Sequence, residues 1–128
     1  MQIKSSSSHS VGVALRLDEI IMDCADPRLL ATFWARALDY EVGDSDPDIA
    51  SIDDPSGAGP SIAFQRVPEA KNGKNRVHFD LSVDDNHLDE AVDRLVTLGA
   101  TKIDVGQGSD RSWVVLADPE GNEFCVVT

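Results

Sequence analysis

Cysteine is scarce in this chain. The two cysteines, Cys24 and Cys125, lie far apart and in no CxxC spacing. That argues against a disulfide scaffold and against a structural zinc site. Long apolar runs are missing as well, so no segment reads as a membrane span. Positive charge is thin: 11 Lys and Arg stand against 23 Asp and Glu, a formal net charge of -12. Phosphate backbones repel such a surface, so no nucleic-acid partner is expected, whereas a cationic ligand remains compatible. The opening residues hold Lys4 and a serine run but no apolar segment, and so lack a secretory signal. Residues 1–14 read as a disordered leader, with His9 inert inside it, and the cytoplasm is the expected location. Apolar residues still make up 41%. That is enough for a core, and the length suits one compact domain or two small modules sharing a core.

The clearest stretch is Asp118-Pro119-Glu120-Gly121-Asn122, followed by an apolar run. Proline fixes φ and glycine allows φ > 0, so this is a turn signature leading into a final strand. A weaker copy, Asp54-Pro55-Ser56-Gly57, lies upstream between two apolar runs. Around these turns the chain reads as two similar halves. Residues 15–24 alternate as a strand, with Ile20, Met22 and Cys24 on one side and Glu19, Ile21 and Asp23 on the other. Asp26 caps a helix whose first turn holds Pro27. Its stripe is Leu30, Phe33, Trp34, Ala37 and Leu38. Strands are expected at 40–42, 49–53 and 61–67. A polar linker at 68–75 separates the first module, 15–68, from the second, 76–128.

The second half opens with a strand at 76–83. Asp84 or Asp85 caps a helix carrying Leu88, Ala91, Val92, Leu95 and Leu98, which Gly99 closes. Strands follow at 101–105, 113–117 and 123–127, with a glycine-rich loop at 106–111. The repeat holds by spacing: 59 positions separate Asp26 from Asp85, and 64 separate Asp54 from Asp118. The expected fold is α+β, two tandem βαβββ modules forming a curved mixed sheet. One helix per module covers only one face, so the other face forms a concave pocket.

These motifs resemble the vicinal oxygen chelate superfamily, the glyoxalase/bleomycin-resistance/dioxygenase group, in its glyoxalase-like branch. The matching residues are Asp26-Pro27 leading into Leu30, Phe33, Trp34, Leu38 and Tyr40, the strand Arg76-Val77-His78-Phe79-Asp80-Leu81, Leu98-Gly99-Ala100, and Asp118-Pro119-Glu120-Gly121-Asn122-Glu123-Phe124. The resemblance implies a divalent metal on the concave face, held from the first and last strands of each module. It also implies a homodimer, with modules pairing within one chain or across two. The four ligand positions carry Glu19, Gln65, His78 and Cys125 here. A neutral amide is a weak ligand beside a carboxylate, an imidazole and a thiolate. Glu123, two residues before Cys125, shares its strand face.

Strand parity leads to the same cleft without the resemblance. The faces turned away from the helices carry Glu19, Ile21 and Asp23, then Ala63 and Gln65, then His78, Asp80 and Ser82, then Glu123 and Cys125. Charges there must be solvated, paired or bound to something. Two readings stand for each. His78 with Asp80 is a site pair or an ordinary solvated pair. Glu19 and Glu123 are functional or plain edge charges. Cys125 reads as a small hydrophobe before a nucleophile. Trp113 walls the pocket or fills the core, and Phe33 and Trp34 read as core. Arg66 and Arg76 meet an anionic substrate or stay on the surface.

As a site, His78 is the proton shuttle, since imidazole ordinarily titrates near neutral pH. Glu19 or Glu123 is the general base. The expected function is a glyoxalase-like enzyme, a lyase, isomerase or dioxygenase, acting on a carbonyl or oxygen-rich metabolite. The alternatives are a protein that sequesters a drug or metabolite, and a binding domain whose concave face is filled by another protein.

Overall fold

The computed structural model describes residues 12–104 and 113–128. His9, most of the expected leader and the glycine-rich loop lie outside the described residues. Among the described residues, eight strands and two α-helices follow one another as two similar units. The first holds β1 (Glu19–Cys24), α1 (Pro27–Leu38), β2 (Glu41–Ser45), β3 (Ile49–Asp53) and β4 (Ser61–Arg66). The second holds β5 (Asp80–Ser82), α2 (Leu88–Leu98), β6 (Thr101–Asp104), β7 (Trp113–Ala117) and β8 (Glu123–Val127). Each unit is a four-stranded mixed sheet, ordered β1-β4-β3-β2 and β5-β8-β7-β6. The first strand of each runs parallel to the last, and the other pairings are antiparallel. No described helix is long and apolar enough to cross a membrane.

Helix α1 begins where Asp26 caps it. The Asp26 side chain accepts from Leu29 N at 3.2 Å, and Pro27 occupies the first turn, where a missing N–H leaves nothing unsatisfied. The helix ends at Asp39, whose φ of 57° is left-handed, a conformation that Asp tolerates better than most residues. Helix α2 starts differently from the sequence expectation. A 3₁₀ turn at Asp85–His87 precedes it, and Asp84 makes no side-chain capping bond. The three residues of that turn push the helix start to Leu88. Gly99 closes it at φ 128° with its N–H on Leu95 O and Val96 O, a backbone conformation that favours glycine.

Two strands are shorter than the alternation suggests. β1 starts at Glu19, because residues 13–18 are exposed and enter no ladder. β5 spans only three residues, because the Asn75 side chain does the pairing upstream. Asn75 Oδ1 accepts from Glu123 N at 2.9 Å, and its Nδ2 donates to Glu123 O at 3.1 Å. A carboxamide there imitates a strand residue.

One core serves both units. Leu30, Phe33 and Trp34 of α1 join Ile52 and Phe64 of the first sheet and Val114, Leu116, Phe124 and Val126 of the second. Trp34 is 1% exposed. Its ring meets Phe124 and Phe79 edge-on, at centroid distances of 4.8 and 5.3 Å. Such pairs add about 0.5–1.5 kcal/mol each beyond area burial. The two units therefore pack against each other within one chain.

The closing turn completes this junction. Asp118 is 3% exposed. Its carboxylate accepts from Trp34 Nε1 at 3.0 Å, from Glu120 N at 2.9 Å, and from Asn122 N and Nδ2. Glu120 reaches back to the chain just before α1, accepting from Ala25 N at 2.8 Å and Asp26 N at 2.7 Å. The earlier copy of the turn is local: the Asp54 carboxylate accepts from Ser56 N and Oγ and from the Gly59 backbone.

Candidate functional site

The strand faces divide as parity requires. Met22 and Cys24 turn toward the core, as do Phe124 and Val126, while Ile20 lines the cleft described below. Glu19, Ile21, Asp23 and Gln65 are exposed on the other face of the first sheet, and His78, Asp80 and Ser82 on the other face of the second. Trp113 resolves the same way. It opposes Val127 two pairs along from Val115 and Cys125, so it shares the face of Cys125.

A cleft of about 150 Å³ opens between the edge of the first sheet and the start of the second. Ile20, Ile21 and Met22 of β1 form one wall, and Val77, His78 and Phe79 form the other. Trp34 and Phe124 line it deeper in, and Asn75, Asn122 and Glu123 supply polar groups. A cavity of this size holds a molecule as large as benzene. A wider and more polar trough of about 470 Å³ lies alongside, lined by Asp23, Cys24, Glu69, Lys71 and Glu120, and shares Asn122 with the cleft. It lacks a histidine, so the smaller cleft is the better candidate for proton transfer.

Beside the cleft, three potential metal-ligating atoms converge. The parallel register of β5 and β8 sets Asp80 directly opposite Cys125. His78 precedes Asp80 by two residues on the same face, with Nε2 3.2 Å from Asp80 Oδ1. One donor atom each from His78, Asp80 and Cys125 lie within 4.8 Å of one another. Burial pushes the Cys125 thiol up from its ordinary pKa; the Asp80 charge, a hydrogen bond to Asp80 and Glu123 add to this, while Lys74 opposes it. Lys74 Nζ lies 3.6 Å from Glu123 Oε1, an exposed pair that orients the carboxylate weakly. Cys24 is a different case. Burial, then Glu120, Asp26, Asp23 and Asp118, push its thiol up to about 11, so it stays protonated and inert.

His78 and Glu123 thus share the cleft, and His78, Asp80 and Cys125 share the cluster. Glu19, Asp23 and Gln65 belong to neither. Glu19 opens β1 opposite Ser61. Gln65 pairs with Asp23 on one side and Ile49 on the other. Asn75, Val77 and Asn122 were not legible as site residues. By sequence Asn75 falls in the polar linker, and its position follows from its bond to the Glu123 backbone, 48 residues away.

The family profile described as "Glyoxalase-like domain" matches residues 19–127. Among curated proteins no sequence matches the chain significantly. Solved structures share the fold. A glyoxalase/bleomycin resistance protein/dioxygenase family enzyme from Burkholderia phytofirmans PsJN superposes with a TM-score of 0.71 at 20% identity, covering 88% of this chain and 97% of that one. The fosfomycin resistance protein FosX from Mesorhizobium loti gives 0.69 at 14%, covering 91% and 93%. A FosX variant from Listeria monocytogenes, crystallised with Mn(II) and a dihydroxypropylphosphonic acid, gives 0.69 at 14%, covering 90% of each chain. With its paired βαβββ units and a profile match over nearly the whole described chain, this protein belongs to the glyoxalase-like family of the vicinal oxygen chelate superfamily.

Proposed function

We propose that the chain is an enzyme of the glyoxalase-like type, an isomerase or lyase in preference to a dioxygenase, acting on a small carbonyl metabolite in the cleft between the units. The observation that carries this reading is the joint placement of His78 and Glu123 on an otherwise largely apolar cleft. The Glu123 carboxylate takes a proton from a carbon next to the substrate carbonyl. The C–H electron pair moves to the carbonyl oxygen, and His78, backed by Asp80, donates a hydrogen bond to the enolate oxygen. With an α-hydroxy carbonyl substrate, His78 passes the hydroxyl proton to the enolate oxygen and Glu123 returns its proton to the former carbonyl carbon, so the carbonyl moves by one carbon without net redox change. His78, Asp80 and Cys125 are the residues that would hold a metal. A bound ion there would supply Lewis-acid stabilisation of the same developing charge.

The volume narrows the substrate. About 150 Å³ suits a compact metabolite better than a glycopeptide drug. A sequestering role remains a second reading for a small ligand, favoured by the apolar wall of Ile20, Met22, Val77 and Phe79. We also read the chain as a homodimer, supported by Ile21 and Ile49, which are 52% and 39% exposed on the open face of the first sheet. Sedimentation velocity reports that directly.

The catalytic reading is tested by proton NMR in D₂O with a panel of small α-hydroxy ketones and 2-oxo acids. At least one compound should incorporate deuterium next to its carbonyl. Glu123→Gln and His78→Ala should each slow that exchange by about 10²-fold or more. Exchange that proceeds equally in both variants overturns the reading, whereas a bound but unexchanged compound supports sequestration.

A further inference from the structure

We propose that His78, Asp80 and Cys125 form a thiolate-bearing metal site, held by the second unit alone and selective for zinc-like ions over manganese or magnesium. The site deepens the reading above, because His78 belongs to both the cluster and the cleft wall, yet it can be tested without turnover.

The backbone sets the ligands in place. Asp80 and Cys125 face each other across the β5–β8 ladder, and Cys125 N donates to Phe79 O at 2.9 Å one residue before Asp80. His78 shares the face of Asp80 by strand alternation. Zinc binds nitrogen and oxygen at about 2.0–2.2 Å and sulfur at about 2.3 Å, so tetrahedral ligand atoms lie roughly 3.3–3.7 Å apart. His78 Nε2 and Asp80 Oδ1 already stand at 3.2 Å, and all three donors lie within 4.8 Å. Small side-chain rotations close the remainder. As the metal–sulfur bond forms, the thiol proton leaves to water. Three protein ligands leave the fourth tetrahedral position for an oxygen of water or substrate.

The ligand types set the selectivity. A thiolate with an imidazole suits zinc or cobalt, while manganese and magnesium prefer oxygen-rich shells. Here one sulfur, one nitrogen and one oxygen come from a single sheet. Glu19 and Gln65, the first-unit residues at the positions implied by family resemblance, take no part.

The test uses the full chain, reduced and stripped with a chelator, then titrated with cobalt(II) chloride. A sulfur-to-cobalt charge-transfer band should appear in the near ultraviolet, together with the intense visible bands of a tetrahedral ion. Equimolar zinc should bleach them, and equimolar manganese should leave them intact. Cys125→Ser should abolish the charge-transfer band, while Cys24→Ala keeps it. His78→Ala and Asp80→Asn should each weaken cobalt binding by about tenfold or more. Glu19→Ala should leave the titration unchanged. Absence of the band, its survival in Cys125→Ser, or weakening by Glu19→Ala equal to that by Asp80→Asn would each overturn the proposal. Deuterium exchange without the band sinks the metal site alone; the band without exchange sinks the proton-transfer reading alone.

Discussion

Replacing Asp118 by Asn keeps the shape of the buried clamp and reverses one of its polar ends. The carboxylate Oδ2 accepts from Trp34 Nε1 at 3.0 Å and from Asn122 Nδ2 at 3.0 Å. An amide nitrogen in that place points a donor at two donors. Flipping the amide is worse, since Oδ1 accepts from Glu120 N, Asn122 N and Asn122 Nδ2. Hydrogen bonds to a charged group contribute about 1.5–3 kcal/mol each. Losing two costs about 3 kcal/mol at the lower bound, a large share of the 5–15 kcal/mol typical of a domain. Urea unfolding followed by circular dichroism should show that loss, with the melting temperature falling by roughly 10 °C. Asp54→Asn is the control, because its exposed carboxylate bonds only within its own turn, to Ser56 and Gly59, and its midpoint should move far less. A Trp34→Phe, Asp118→Asn cycle should show coupling of about 1.5 kcal/mol or more. If Asp118→Asn unfolds like Asp54→Asn, the clamp between the two units is refuted.

Cys24 makes a pH prediction. Its folded thiol lies at about 11 against an ordinary 9.0, so the unfolded chain ionises first and stability falls as pH rises through that window. The effect is full below pH 9 and costs about 2 kcal/mol between pH 9 and 11; Cys24→Ala, compared by urea midpoint at both pH values, should lack this increment. Asn75→Ala should cost about 2 kcal/mol by removing two part-buried bonds to the Glu123 backbone. Amide exchange at Glu123 should rise about tenfold, and unchanged protection there would show that water replaces the carboxamide without loss.

The sequence reading succeeds where local chemistry decides. Asp26 and Pro27 mark the start of α1, and β3, β7 and β8 run as expected because alternation and turn residues bound them on both sides. It errs where a distant group intervenes. The strand expected at 76–83 shrinks to Asp80–Ser82 because Asn75 pairs by its side chain. The α2 start moves because a 3₁₀ turn takes the residues expected to cap it. Parity places His78, Asp80, Glu123 and Cys125 on one face, but bringing Asp80 against Cys125 needs the β5–β8 register, which no local pattern encodes. The resemblance draws attention to Glu19 and Gln65 together with His78 and Cys125, whereas the structure gathers His78 and Cys125 with Asp80. The closing turn reads as a chain reversal without chemistry; its grip on Trp34 spans 84 residues and is invisible to turn rules.

That grip has a consequence for the order in which the chain is made. Trp34 leaves the ribosome long before Phe79, Asp118 and Phe124, the groups that cover its ring and bind its indole nitrogen. Until the last strand emerges, α1 presents a bare aromatic edge beside an unsatisfied donor, a surface that invites wrong partners. The first half therefore waits on the second during synthesis, and residues 118–124 act as the latch that covers the exposed edge of Trp34.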